Sequence, residues 1–171
     1  MALAVAAVTT ALVVGLLPGL SPAPATVKVD LTIAWNSTSQ TYSYAPAAIH
    51  VPAGSTVAMT ITNYDPGNHT APSEYCHVLG TTGGMMSYRV GGGMMGSWMM
   101  HNVGDLPARN VSHTFSIFQG GFQLNVPIPA AANSATPAVV SFTFHAPGAG
   151  AMTWGCEAMG AGQMMGTFYS D

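Results

Sequence analysis

Along several short stretches of this chain apolar and polar residues alternate with period two, the pattern of strands that bury one face. Val27-Lys-Val-Asp-Leu-Thr-Ile33 is the first, and Thr56-Val-Ala-Met-Thr-Ile-Thr62 follows Ala48-Ile-His-Val51 across the turn Pro52-Ala-Gly54. Asn63-Tyr-Asp-Pro-Gly67 ends that strand with strong turn chemistry. Residues 112–118 predict another strand, and Ala138-Val-Val-Ser-Phe-Thr-Phe144 a strand rich in β-branched and aromatic residues. Pro147-Gly148-Ala-Gly150 turns the latter into Ala151-Met-Thr-Trp-Gly155, and residues 163–169 close the set. No window longer than about ten residues after the N-terminal segment keeps a helical period. The expectation is all-β, a sandwich or Greek-key barrel.

Two segments interrupt the pattern. Residues 2–17 form an apolar run closed by Pro18, Gly19 and Pro22. About 20 apolar residues cross a bilayer, so this run falls between a signal-peptide core and a short anchor. Ala23-Pro24-Ala25 resembles a cleavage site, yet no Lys or Arg precedes the run. Residues 1–25 are therefore read as a signal peptide or N-terminal membrane anchor, and 26–171 as one domain. The second segment, about 68–110, is rich in Gly and Met, with Met85, Met86, Met94, Met95, Met99 and Met100. It is too long for a bare loop in a compact domain, which predicts strands or a function of its own.

Composition sharpens this. Charged residues are 5% of the chain, against about 25% in an average soluble protein. Lys28, Arg89 and Arg109 are the only cations, which excludes a nucleic-acid interface built on phosphate neutralisation. No close carboxylate pair, Gly-x-Ser-x-Gly elbow, phosphate-binding loop or zinc-finger spacing occurs, so the chain reads as a non-enzyme. Sequons at Asn36, Asn68 and Asn110 fit an exported chain. Both cysteines, Cys76 and Cys156, lie in the exported part, so a disulfide between them is one reading. The other is metal chemistry. Trp154-Gly-Cys156-Glu-Ala-Met159-Gly-Ala-Gly-Gln-Met164 sets a thiol and two thioethers on one loop, and His113 comes from an earlier strand. Cys, Met and His are the ligands that suit copper.

Tyr44-Ala-Pro-Ala-Ala-Ile-His-Val-Pro52, Val111-Ser-His113-Thr-Phe, Asn125-Val-Pro-Ile-Pro129 and the Pro/Gly turn leading to Cys156 resemble exported cupredoxins. The nearest in pattern are cytochrome c oxidase subunit II-like domains and sulfocyanin- or rusticyanin-like proteins. The resemblance implies a cupredoxin-like Greek-key β-sandwich holding one mononuclear copper. It implies His113, Cys156 and Met164 as ligands, completed by Met159 or by His69, with His77 and His101 as weaker candidates. Plastocyanin-like sites place His where this chain has Met159, and rusticyanin-like sites where it has Ala161. A dinuclear centre needs a second Cys and a His in the loop, and the loop has neither. The implied activity is single-electron transfer outside the cytoplasm, at the cell surface or the outer face of the cytoplasmic membrane. The implied partner is a redox protein such as a respiratory oxidase or cytochrome. Two alternatives stand beside it: a copper-free structural or assembly subunit, and a Cu(I) delivery protein using the Met clusters.

Overall fold

The computed structural model describes residues 25–91, 100–158 and 164–171. The N-terminal apolar run, Met94, Met95, Met99, Met159 and Ala161 lie outside the described residues. Eleven strands are described: β1 Thr26–Asn36, β2 Thr41–Ala45, β3 Ala48–Val51, β4 Thr56–Asn63, β5 Met86–Val90 and β6 His101–Val103, then β7 Val111–Gln119, β8 Phe122–Pro129, β9 Ala138–His145, β10 Gly150–Gly155 and β11 Met165–Ser170. They form two sheets, ordered β2-β1-β4-β9-β5-β6 and β3-β11-β10-β7-β8. The chain passes repeatedly from one sheet to the other, as in a Greek-key β-sandwich. Among the described residues no helix is long and apolar enough to cross a membrane.

Period-two patterning explains which faces meet. On β4, Val57, Met59, Ile61 and Asn63 are buried and the intervening residues are half-buried; β9 alternates in the same way. Opposite them Phe115 and Ile117 of β7, Leu124, Val126 and Ile128 of β8, Trp154 of β10 and Phe168 of β11 are buried. Trp154 packs between Tyr44, at 4.7 Å between ring centroids, and Phe115, at 5.1 Å. Gly166 is required beside it, because a Cβ there would collide with the Trp154 ring and the Ala47 carbonyl.

Four strands go beyond the predicted set. β2 pairs with β1 from Thr32–Ala45 to Asn36–Thr41, and its Ser and Thr content hides it in the sequence. β8 carries Pro127 and Pro129, which argue against a central strand; it sits at a sheet edge, where a missing N–H costs nothing. β5 and β6 come from the Met-rich segment, as its length required, and extend the first sheet beyond β9. The start of that segment does something else. A 3-10 turn at Ser73–Cys76 and the exchange of backbone hydrogen bonds between Leu79 and Asn125 lay it against β8. With its neighbouring strands, this leaves Val111 to Ile117 wholly buried.

Candidate metal centre

Pairing of β7 with β10 brings the candidate ligands together: Gly155, which precedes Cys156, registers against Ser116. A bulge between Val111 and His113 interrupts the β7–β8 register just before the imidazole, which is fully buried. Cys156 Sγ lies 3.6 Å from His113 Nδ1. The Thr114 backbone N–H donates to the same sulfur at 3.4 Å. Two further bonds hold the loop. The Glu157 N–H donates to Thr114 Oγ1 at 2.8 Å, and the Cys156 N–H to the Met164 carbonyl at 2.9 Å. Met164 is itself buried.

The other ring nitrogen of His113 faces a carboxylate. His113 Nε2 and His69 Nε2 both bond Asp65 Oδ2, at 2.9 and 3.0 Å. Asp65 is held by the turn that ends β4: its N–H donates to Asn63 Oδ1, and its Oδ1 accepts the Gly67 N–H at 2.7 Å. Its carbonyl accepts the Ala131 N–H at 2.8 Å. An ionised carboxylate only accepts, so His113 carries its proton on Nε2 and presents Nδ1 to the sulfur as a lone pair. Burial pushes the Asp65 carboxyl up, but the bonds from His113, Gly67 and His69 outweigh it and hold the group below its ordinary value. Burial lowers His113, against the opposing pull of Asp65. Burial raises the Cys156 thiol, partly offset by the N–H groups of Thr114 and Ala158.

The residues fit a metal on the Nδ1 side. A tetrahedral first-row ion such as zinc has metal–N bonds of about 2.0–2.1 Å and metal–S bonds of about 2.3 Å, which set N and S roughly 3.6 Å apart. That is the separation of His113 Nδ1 and Cys156 Sγ. A thiolate and an imidazole with a thioether-bearing residue beside them form a donor set suited to copper.

His113 and Cys156 are thus brought together, with Met164 tied to Cys156 through the backbone. Met159 falls outside the described residues. His69 is brought to the Asp65 side of His113, away from the ring nitrogen that faces Cys156. His77 bridges to Asp105 through the backbone and His101 stacks on Tyr88. Cys76 and Cys156 are both free thiols, and the Cys76 S–H points at the Pro72 carbonyl, 3.6 Å away. Sequence reading singled out neither Asp65 nor Thr114 as a site residue. The signal for Asp65 lay in Asn63-x-Asp65-x-Gly67, read as a turn; for Thr114 a buried hydroxyl within a strand gives none.

No family model matches the chain, and no curated protein matches it. Among solved structures it is similar to auracyanin A, described as a "blue" copper protein from Chloroflexus aurantiacus, at 16% identity and a TM-score of 0.45, covering 86% of this chain and 100% of that one. Rusticyanin from Thiobacillus ferrooxidans matches at 15% identity and a TM-score of 0.45, over 85% of this chain and 77% of that one. Auracyanin B matches at 17% and 0.42, over 89% and 93%. The likeness is one of outline, and the chemistry of the centre is carried by its own residues.

Proposed function

We propose that the chain is an extracytoplasmic copper protein that carries single electrons, with His113 Nδ1, Cys156 Sγ and Met164 among the metal's ligands. The carrying observation is the 3.6 Å approach of Nδ1 to Sγ, with the sulfur also accepting the Thr114 N–H. Bound copper supplies a one-electron couple between Cu(I) and Cu(II). The chain's own residues supply the rest. Asp65 fixes the tautomer and orientation of His113. The Thr114 N–H withdraws charge from the sulfur, a lever on the redox potential. Trp154, Phe115 and Tyr44 pack on one another in the core behind the strands that carry His113 and lead to Cys156, and a close-packed core of this kind resists rearrangement. Thioether donors favour the softer Cu(I) state.

The apolar run 2–17, the small-residue sequence Ala23-Pro24-Ala25 and the three sequons support export, with the run either cleaved or kept as an anchor. The electron partner is then another extracytoplasmic redox protein, such as a respiratory oxidase or a cytochrome. The test is optical. Copper-loaded protein is expected to show an intense thiolate-to-Cu(II) absorption band that Cys156→Ser abolishes and His113→Ala shifts or bleaches. A colourless Cu(II) form, or a band indifferent to Cys156→Ser, defeats the reading.

A further inference from the structure

The Asp65 face of His113 is a second, separate place for an ion. Asp65, His69 and His113 each offer one ligand atom, all within 4.8 Å of one another. Two imidazole nitrogens and one carboxylate oxygen are a borderline-to-hard N2O set, the facial type that leaves coordination positions open. Those positions have room, because all three residues line one cavity of about 270 Å³ together with Trp35, Gln40, Thr41 and Tyr42. Cys156 does not line it, since its sulfur sits against Nδ1, the opposite ring nitrogen.

The donors are also organised in advance. The Asp65 carboxyl is fixed by the Gly67 N–H, and the backbone N–H of His69 is tied to the Val111 carbonyl at 3.1 Å. His113 stands on a buried strand. Glycine at position 67 keeps the ground clear: a Cβ there would come within 3.0 Å of Asp65 Oδ1 and 3.5 Å of His69 Nε2. Ligands held this way need little reordering to accept a cation.

We infer that Asp65, His69 and His113 Nε2 form a binding site for a divalent first-row ion, with its remaining positions open to water or a small ligand in the cavity. The observations that carry this site are separate from those behind the copper reading, although both use His113 and its partner Asp65. Occupancy moves one proton within each imidazole, from Nε2 to Nδ1, and leaves both rings neutral. For His113 that places an N–H against Cys156 Sγ. The two faces of the ring therefore compete: an ion on the Asp65 side weakens ligation on the thiol side.

The test uses chelator-treated full chain. In the Cys156→Ala background, Zn2+ titrated by calorimetry is expected to bind with one equivalent. Co2+ in the same background should give only weak d–d bands, without thiolate charge transfer. His69→Ala, at a half-buried position, and Asp65→Asn should each weaken binding by at least about 100-fold, the upper end of what losing even an outer partner costs, with an unchanged unfolding midpoint showing that the variant is folded. In the wild type, Zn2+ added first should depress copper loading, and His69→Ala should remove that effect. Zn2+ binding that survives His69→Ala, or that disappears in Cys156→Ala, overturns the site. So does failure of Cys156→Ala to bind Zn2+ at all. Loss of the copper band in Cys156→Ser is a separate result and leaves this one standing.

Discussion

β7 is buried on both faces, and the two faces are buried by different means. One side carries Phe115 into the aromatic core, against Trp154 and Phe142. The other side carries Thr114 and Ser116 into a hydrogen-bonded network. Ser116 Oγ lies 2.7 Å from Asn125 Oδ1 and 3.0 Å from Thr114 Oγ1. The Asn125 amide donates to the carbonyls of Tyr75 and His77, and Thr114 Oγ1 accepts from the Glu157 N–H. Apolar packing is non-directional, so the first face holds the sandwich together without aiming anything. Hydrogen bonds have direction, so the second face can tie the Ser73–Leu79 segment and the Cys156 loop to fixed positions on the strand. Stability resides mainly on the Phe115 face, to which alternation also assigns His113, and the other face fixes the Cys156 loop against that imidazole.

The largest expected effect lies on the apolar face. Phe115→Ala empties a fully buried site between Trp154 and Phe142, and a change of that kind costs about 3–5 kcal/mol. Urea unfolding should show the midpoint falling by a large share of the total, given net stabilities of about 5–15 kcal/mol. A loss below about 1 kcal/mol would mean that β7 does not anchor the core, and the contrast would fail.

Asn125→Ala tests the polar face at its most connected point. It leaves the Tyr75 and His77 carbonyls without a donor and Ser116 without its Asn125 partner. These carbonyls are part-buried, so the cost falls toward the lower end of the about 1–3 kcal/mol that an orphaned buried group carries. The effect should also be local. Hydrogen exchange is expected to quicken at Leu79, whose N–H bonds the Asn125 carbonyl, while the amides of β4 stay protected. Equal acceleration everywhere would show that the network is not a separate tie.

The same contrast explains what could be read from the sequence. Strands facing the apolar core announce themselves: Ala48–Val51, the β4 stretch and the β9 stretch lie where alternation puts them, within about a residue of the ends. β2 and β8 do not, because Thr, Ser and Pro dilute their pattern, and only pairing with β1 and β7 makes them strands. The site divides similarly. His113, Cys156 and Met164 could be named because their chemistry is rare and their spacing familiar. Asp65 could not, because an Asp in a Pro-Gly turn is ordinary until the fold sets it 2.9 Å from a buried imidazole. His69 could be named as a ligand candidate, but the ring nitrogen it would approach depends on how the turn 63–69 folds back on Val111. That return is a backbone hydrogen bond, to which side-chain identity contributes no signal.

Thr114→Val separates placing from stability with the smallest perturbation. The substitution nearly preserves shape, keeps the backbone N–H that points at Cys156 Sγ, and deletes only Oγ1. Oγ1 accepts the Glu157 N–H at 2.8 Å and also meets Ser116. Glu157 is exposed, so its freed N–H can turn to water, and the stability loss should be about 1 kcal/mol. The loop, however, loses its tie one residue after the sulfur, beside Ala158, the second N–H acting on the thiol, and the thiol loses the Thr114 hydroxyl's own influence. In copper-loaded protein the thiolate band should therefore move although unfolding barely changes. Ser116→Ala is the control, because it removes a hydroxyl from the same network without touching Glu157. A band that moves equally in both variants, or in neither, would mean that the loop is positioned by the Cys156–Met164 backbone bond alone.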